Sequence, residues 1–160
     1  MFAGKARGVR PHRKDNLIYI FDIDGTLADL SHRLHFITGE KKDWTGFYAA
    51  ADGDKLIPEV VQIAIALRHN NHKIIYSTGR SEEIRDLTEE WLEYAGLPCG
   101  EVFMRREGDH REDSVVKAEL LDAIIEMFGS VAGVFEDRQQ VVDMYRARGP
   151  RVFQVAPGNF

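Results

Sequence analysis

The 160-residue sequence has one cysteine, Cys99, and no long apolar run. One thiol cannot form an intrachain disulfide, and it also excludes zinc sites built on paired cysteines. No segment approaches the roughly 20 apolar residues that a membrane helix needs, and the N-terminus lacks the apolar centre of a secretory signal. These absences predict a soluble protein with no membrane partner, and we expect it in the cytoplasm.

Acidic residues are missing from the first 14 residues, which carry five bases: Lys5, Arg7, Arg10, Arg13 and Lys14. All 26 acids and the other 16 bases lie in residues 15–160, so the net charge of −5 divides into +5 and −10. This pattern predicts a flexible basic arm over residues 1–16 that could contact nucleic acid, or else an ordinary frayed terminus. The acidic remainder argues against a protein that coats DNA or RNA.

Five short apolar segments alternate with segments of helical periodicity. The predicted strands cover residues 17–21, 73–77, 101–104, 131–135 and 151–155. The predicted helices cover residues 58–67, 81–94, 115–128 and 139–148. Alternation of this kind predicts an α/β fold, a doubly wound parallel five-stranded Rossmann-like sheet with helices on both faces.

One stretch, residues 27–57, interrupts the alternation and is too long for a plain loop between a strand and a helix. We predict that it forms a small cap insert within a single domain, residues 17–160, because 160 residues can bury one good core. Trp44, Phe47 and Tyr48 lie in this insert at helical spacing. That spacing is typical of a small hydrophobic core, although aromatic side chains can also stack on a nucleobase.

Ligands of such sheets bind beyond the carboxyl ends of the strands, and residues 21–26, Phe-Asp-Ile-Asp-Gly-Thr, follow the first predicted strand. This segment resembles the first signature of haloacid dehalogenase (HAD) superfamily phosphatases. Two carboxylates at this spacing can serve one phosphoryl centre, since Asp22 can attack phosphorus while Asp24 protonates the leaving oxygen. The alternative is that both acids only cap a turn, but neighbouring buried acids repel unless a metal or a base pairs them.

Three later segments resemble the remaining HAD signatures. Thr78, with Gly79 beside it, matches the residue whose hydroxyl binds the phosphoryl group, although Thr-Gly is also ordinary turn chemistry. Lys117 matches the lysine that neutralises the aspartyl-phosphate, although a lysine on a solvated helix surface would look the same. Glu136 and Asp137 match the acidic fourth signature.

Mg²⁺ is the cofactor that this resemblance implies. As a hard cation it takes oxygen ligands, which the family pattern places on Asp22, the Asp24 carbonyl and Asp137, with Glu136 in a secondary position. The family tends to carry paired aspartates at the fourth signature, so the Glu136-Asp137 pair is a departure from the pattern.

Residues 105–117, 135–146 and 153–160 also resemble the 3′-phosphatase domain of bacteriophage polynucleotide kinase/phosphatase. That resemblance implies substrate-binding roles for Arg33, Arg80 and Asp113. The chain lacks the Gly-x-x-x-x-Gly-Lys-Ser/Thr phosphate loop that a 5′-kinase half would require. A separate kinase or ligase is therefore a possible partner, and the sequence does not reveal the oligomeric state.

The resemblance implies a Mg²⁺-dependent phosphomonoesterase that removes 3′-phosphates from DNA or RNA ends, or from nucleotides, in a role in nucleic acid repair. One alternative keeps the chemistry and changes the substrate to free nucleoside monophosphates, as in a nucleotidase. Another alternative is a non-catalytic nucleic-acid-binding module that uses the basic arm. A weaker one is a phosphotransferase or mutase, since an aspartyl-phosphate can also be discharged to an alcohol.

Overall fold

A computed structural model describes residues 16–158 of the chain. The strands in this range are β1 (Ile18–Phe21), β2 (Ala28–Asp29), β3 (Lys55–Leu56), β4 (Lys73–Ser81), β5 (Glu101–Arg105), β6 (Gly133–Arg138) and β7 (Arg151–Gly158). The helices are α1 (Trp44–Ala49), α2 (Pro58–His69), α3 (Arg85–Tyr94), α4 (Asp113–Phe128) and α5 (Gln139–Arg148). Three short 3₁₀ segments cover Ser31–Phe36, Ala51–Gly53 and Glu82–Ile84.

Five of these strands form one parallel sheet in the order β5-β4-β1-β6-β7, and β2 pairs with β3 in a separate antiparallel ribbon. The predicted doubly wound five-stranded parallel sheet with a small insert is therefore confirmed. The chain leaves β1 toward β4 and β5 on one side, then crosses to β6 and β7 on the other. A crevice forms at such a reversal point beyond the carboxyl ends of the strands.

Two hydrophobic cores lie on opposite faces of the sheet because successive strand residues point to opposite sides. In β1, Phe21 packs into the core beneath α2 and α3, while Ile20 packs into the core beneath α4 and α5. In β4, Ile74 and Ile75 divide between the two cores in the same way. Burial of both faces explains why these strands read as continuous apolar runs in the sequence.

The insert between β1 and α2 is closed at its base by the short ribbon. Ala28 pairs with Leu56 and Asp29 with Lys55, so the two ends of the insert lie side by side. The α1 helix begins after Asp43, whose side chain accepts a hydrogen bond from the Gly46 N–H over 2.9 Å and caps the helix.

Element boundaries differ from the prediction near the site. The strand β4 continues to Ser81 through a register shift, so the predicted helix start at Ser81 is wrong. The Ser81 side chain instead accepts a hydrogen bond from the Glu83 N–H at the start of a 3₁₀ segment, and α3 begins only at Arg85. The strand β6 extends through Asp137 and Arg138.

The predicted basic arm, residues 1–16, lies outside the described residues except for Asn16. Within residues 16–158, none of the helices combines the length and the apolar character that crossing a membrane requires.

Candidate active site

Asp22 lies immediately after β1 and is almost completely buried. Lys117 of α4 donates hydrogen bonds to Asp22 Oδ1 over 2.6 Å and to Glu136 Oε2 over 2.8 Å. Burial and the nearby Glu136 charge raise the pKa of Asp22 to about 8, although Lys117 opposes them. Burial alone would lower the pKa of Lys117, but Asp22 and Glu136 outweigh it and keep the ammonium charged.

Carboxylate oxygens of Asp22, Glu136 and Asp137 lie within 4.8 Å of one another. Burial and the Asp22 charge raise the pKa of Asp137 to about 6, and burial also raises that of Glu136. Glu136 Oε1 already accepts hydrogen bonds from the N–H groups of Asp137 and Arg138, and Oε2 accepts from Lys117.

This buried acidic cluster fits a divalent cation. The three side chains supply only oxygen donors, which Mg²⁺ prefers. A cation among them would stabilise the ionised carboxylates, which burial and mutual repulsion disfavour. Because protein donors engage both Glu136 oxygens, Asp22 and Asp137 are better placed to bind the cation. Glu136 instead positions the Lys117 ammonium and the backbone of Asp137 and Arg138.

Two glycines allow close approach of the site carboxylates. Gly25 has a φ of +85°, and a Cβ there would lie 2.3 Å from Asp137 Oδ2. A Cβ on Gly79 would lie 2.4 Å from Asp113 Oδ1. Any larger residue at either position would push the corresponding carboxylate out of the site.

Asp24 is surrounded by two fully buried arginines. Arg33 Nη2 donates to Asp24 Oδ1 over 2.7 Å, and Arg80 Nη2 donates to the same oxygen over 2.6 Å. Burial would raise the pKa of Asp24, but the charges of Arg80 and Arg33 outweigh it and lower the pKa below its ordinary value. Asp24 is therefore ionised in the free site, whereas the pKa of Asp22 is raised.

Asp54 is a site residue that the sequence reasoning missed. Its two carboxylate oxygens accept hydrogen bonds from Arg33 Nε and Nη2, each over 2.6 Å, and from Arg80 Nη2 over 2.7 Å. His32 Nε2 lies 2.9 Å from Asp54 Oδ1, and Trp91 Nε1 donates to the Asp54 carbonyl. The two arginines thus bridge Asp54 of the insert to Asp24.

The Asp54 contact has only a weak signal in the sequence. Asp54 stands in an ordinary polar turn before Pro58, 21 residues from its partner Arg33 and 26 from Arg80. Charge balance is the one usable clue, since two buried arginines need more than the single carboxylate of Asp24.

Asp113 is the first residue of α4. Its Oδ1 accepts a hydrogen bond from Arg105 Nη2 over 3.1 Å, and its Oδ2 lies 3.7 Å from Lys117 Nζ and 3.5 Å from Arg138 Nη1. Arg105 also donates to the Gly79 carbonyl, which fixes the loop between β5 and α4 against the end of β4.

Most of the predicted site residues line a single cleft of about 670 Å³: Asp22, Asp24, Gly79, Arg80, Asp113, Lys117, Glu136 and Asp137. Thr78 and Arg33 are fully buried and are not part of this lining. Thr78 Oγ1 accepts a hydrogen bond from the Arg80 N–H, and Arg33 faces Asp24 and Asp54. Substrate contacts by Thr78 and Arg33 therefore stay predictions.

Comparison with known proteins connects this geometry to a family. The family model described as the polynucleotide kinase PNKP phosphatase domain matches residues 16–160. A chain of the Pnkp1/Rnl/Hen1 complex is 31% identical, with a TM-score of 0.75 over 91% of this chain and 47% of that chain. A chain of the Pnkp1/Rnl/Hen1 RNA repair complex is 29% identical, with a TM-score of 0.76 over 91% and 44%.

The class C acid phosphatase from Bacillus anthracis, with tungstate bound, shares the fold. It is 15% identical, with a TM-score of 0.68 over 91% of this chain and 68% of that chain. Relative to the two complex-forming proteins, the present chain spans less than half of their length.

The family match includes all four signature segments, from Asp22 to Asp137, and it confirms the resemblance found in the sequence. The residues of those segments converge at the carboxyl edge of one parallel sheet, where a phosphoryl group can be attacked and released. The chain therefore belongs to the family of polynucleotide kinase PNKP phosphatase domains and is a phosphatase of the HAD type.

Proposed function

We propose that this phosphatase removes 3′-phosphates from polynucleotide ends, with Mg²⁺, through a covalent aspartyl-phosphate on Asp22. The observation that carries the proposal is the ammonium of Lys117, 2.6 Å from Asp22 Oδ1, in the same cleft as the arginine-bound Asp24. The family match supports a polynucleotide end as the substrate.

In the first step, an oxygen of Asp22 attacks phosphorus and the bond from phosphorus to the ester oxygen breaks. Asp24 transfers a proton to that leaving oxygen, which departs as the 3′-hydroxyl. Lys117 stabilises the negative charge that builds up on the phosphoryl oxygens.

In the second step, Asp24 accepts a proton from a water molecule as the water oxygen attacks phosphorus. The bond between phosphorus and Asp22 breaks, inorganic phosphate leaves, and Asp24 holds the proton needed for the next cycle.

Asp24 must be protonated for the first step, although Arg33 and Arg80 lower its pKa in the free site. A phosphate dianion bound beside Asp24 opposes the effect of the arginines and raises that pKa. Asp22, Asp137 and the Asp24 carbonyl would hold Mg²⁺, whose charge favours ionised Asp22 and neutralises the phosphoryl oxygens.

We also propose that this phosphate removal serves nucleic acid repair in the cytoplasm, alongside a separate kinase or ligase. The similar chains in the Pnkp1/Rnl/Hen1 RNA repair complex support this proposal. Co-purification of tagged full-length protein with an end-joining or end-phosphorylating activity would test it.

Phosphate release from a panel of substrates tests the reaction, with Mg²⁺ and with a chelator. The panel contains oligonucleotides with a 3′- or a 5′-phosphate and the free 3′- and 5′-nucleotides, beside the Asp22→Asn variant. We expect the 3′-phosphorylated oligonucleotides to be preferred and both the chelator and the variant to abolish release. Preference for free nucleotides would keep the mechanism and replace the substrate, and normal turnover by Asp22→Asn would refute the covalent step.

A further inference from the structure

Two unlike walls flank the acidic floor of the cleft. The insert supplies an apolar and aromatic wall from Leu30, Ile37, Trp44 and Tyr48. The loop between β5 and α4 supplies a charged wall, with basic residues at 105, 106 and 111 and acidic residues at 109 and 112. A ligand that reaches the floor must therefore pass between aromatic rings and positive charges.

The three aromatic residues of α1 have different surroundings. Phe47 is 5% exposed and lies under the Arg33 guanidinium, 4.1 Å from it, so it fills the small core of the insert. Trp44 is 46% exposed, and its ring centroid lies 6.1 Å from that of Tyr48. Trp44 and Tyr48 are four residues apart, so they share one face of the helix, and both line the cleft.

Tyr48 is half-buried and lines the cleft. Burial raises its pKa, and the charges of Arg105, Asp24 and Asp113 also act on it. Tyr48 is therefore the more buried residue of the aromatic wall, and Trp44 is the more exposed one.

The arginines of the opposite wall differ in whether they form salt bridges. Arg105 is bound to Asp113, and Arg111 is bound to Asp109 and Glu119. The Arg106 side chain is exposed and makes no hydrogen bond or salt bridge within residues 16–158, although its charge helps to lower the pKa of Glu119. Its charge is therefore available to an anion at the mouth of the cleft. On the aromatic side, Lys42 Nζ lies 5.7 Å from the centroid of Trp44.

We propose that Trp44 and Tyr48 stack on a nucleobase next to the terminal phosphate while Arg106 binds a backbone phosphate on its 5′ side. This inference rests on the proposed function, which places the 3′-phosphate against Asp22. The substrate class is then a single-stranded end of at least two nucleotides, since a base in a duplex is already stacked and a mononucleotide has no second phosphate.

Steady-state kinetics with 3′-phosphorylated DNA and RNA oligonucleotides, a 3′-mononucleotide and p-nitrophenyl phosphate test this subsite. The variants are Trp44→Ala and Arg106→Ala. Their matched controls are Tyr94→Ala, an aromatic residue 93% exposed on α3, and Arg68→Ala at the end of α2; neither lines the cleft.

The readout is the ratio of kcat/KM for the oligonucleotide to kcat/KM for p-nitrophenyl phosphate. We expect Trp44→Ala to lower this ratio about 5-fold or more, the loss that one lost base stack produces. We expect Arg106→Ala to lower it too, and to weaken the dependence of KM on salt concentration. The control variants should keep the ratio of the unmodified protein.

Two results would overturn the inference in distinguishable ways. If the unmodified protein hydrolyses 3′-phosphorylated oligonucleotides but both variants behave as their controls do, the subsite is wrong and the proposed function stands. If the unmodified protein hydrolyses p-nitrophenyl phosphate but no 3′-phosphorylated oligonucleotide, both fail. The Arg106 side chain has no hydrogen bond or salt bridge to lose among the described residues, so Arg106→Ala remains informative even if Trp44→Ala impairs folding.

Discussion

Asp22 and Asp24 are two residues apart in the chain but have opposite electrostatic surroundings. Burial and the neighbouring Glu136 charge raise the pKa of Asp22, whereas the charges of Arg80 and Arg33 lower the pKa of Asp24. When two neighbouring carboxyl groups have different pKa values, one can act as the nucleophile and the other can transfer the proton.

The Asp24→Asn variant should separate proton transfer from attack. We expect kcat for a 3′-phosphorylated alcohol to fall about 10²–10⁴-fold, the usual value of a general acid. The loss should be much smaller with p-nitrophenyl phosphate, because p-nitrophenolate leaves without needing a proton. Equal losses on the two substrates, measured by phosphate release, would mean that Asp24 does not act as the acid.

Asp54 should matter for stability as well as for turnover. The Asp54→Ala variant leaves Arg33 and Arg80 buried with only Asp24 as an acidic partner, and removing one member of a buried ion pair costs about 3–5 kcal/mol. Urea unfolding measures this loss. Asp52→Ala is the matched control, since Asp52 is exposed and forms no salt bridge in the described part of the chain. Similar unfolding free energies for both variants would contradict the role of Asp54.

At the scale of the elements, the sequence predicted the features that depend on local residue patterns. The apolar strands and the helices between them follow from periodicity, and the acids at the carboxyl ends of two predicted strands follow from their position after apolar runs, although β6 extends through Glu136 and Asp137. The contacts of the insert did not follow, because Arg33, Asp54 and Asp24 meet only through the fold. The start of α3 was also missed, since the register shift in β4 depends on its pairing with β5.

Gly25, in the turn after β1, leaves the space that the Asp137 carboxylate of β6 occupies. We expect Gly25→Ala to raise the Mg²⁺ concentration for half-maximal activity about 10-fold or more, because the new Cβ would displace the Asp137 carboxylate. Gly96→Ala is the control, since Gly96 also has a positive φ, +66°, but has open space around its Cβ position. It should lose about 1–2 kcal/mol of stability and keep its Mg²⁺ dependence. An equal Mg²⁺ requirement in both variants would show that strain alone matters.

At the scale of the whole molecule, the acidic cluster links folding to pH and to metal. In the metal-free protein, Asp22 and Asp137 have pKa values of about 8 and about 6, against an ordinary value of 3.8. The folded state therefore holds more protons than the unfolded state at intermediate pH. The free energy of unfolding should fall as pH rises from about 4 to about 8.

Magnesium should reverse this loss, because a cation binds the ionised carboxylates. We expect Mg²⁺ to raise the melting temperature more near pH 8 than near pH 5, measured by thermal unfolding against a chelator control. Asp137→Asn should reduce both the pH dependence and the effect of the metal. A magnesium effect of equal size at both pH values would argue against this cluster as the binding site.

The ribbon of β2 and β3 marks a place where the intervening segment of the insert can be replaced. Because Ala28 pairs with Leu56, the two ends of the insert stay together whatever lies between them. A lineage could lengthen or replace residues 37–46 without moving β1 or α2, provided that Arg33 and Asp54 keep their places around Asp24. Substrate choice can thus change through replacement of the outer segment, while the residues around Asp24 that support proton transfer stay the same.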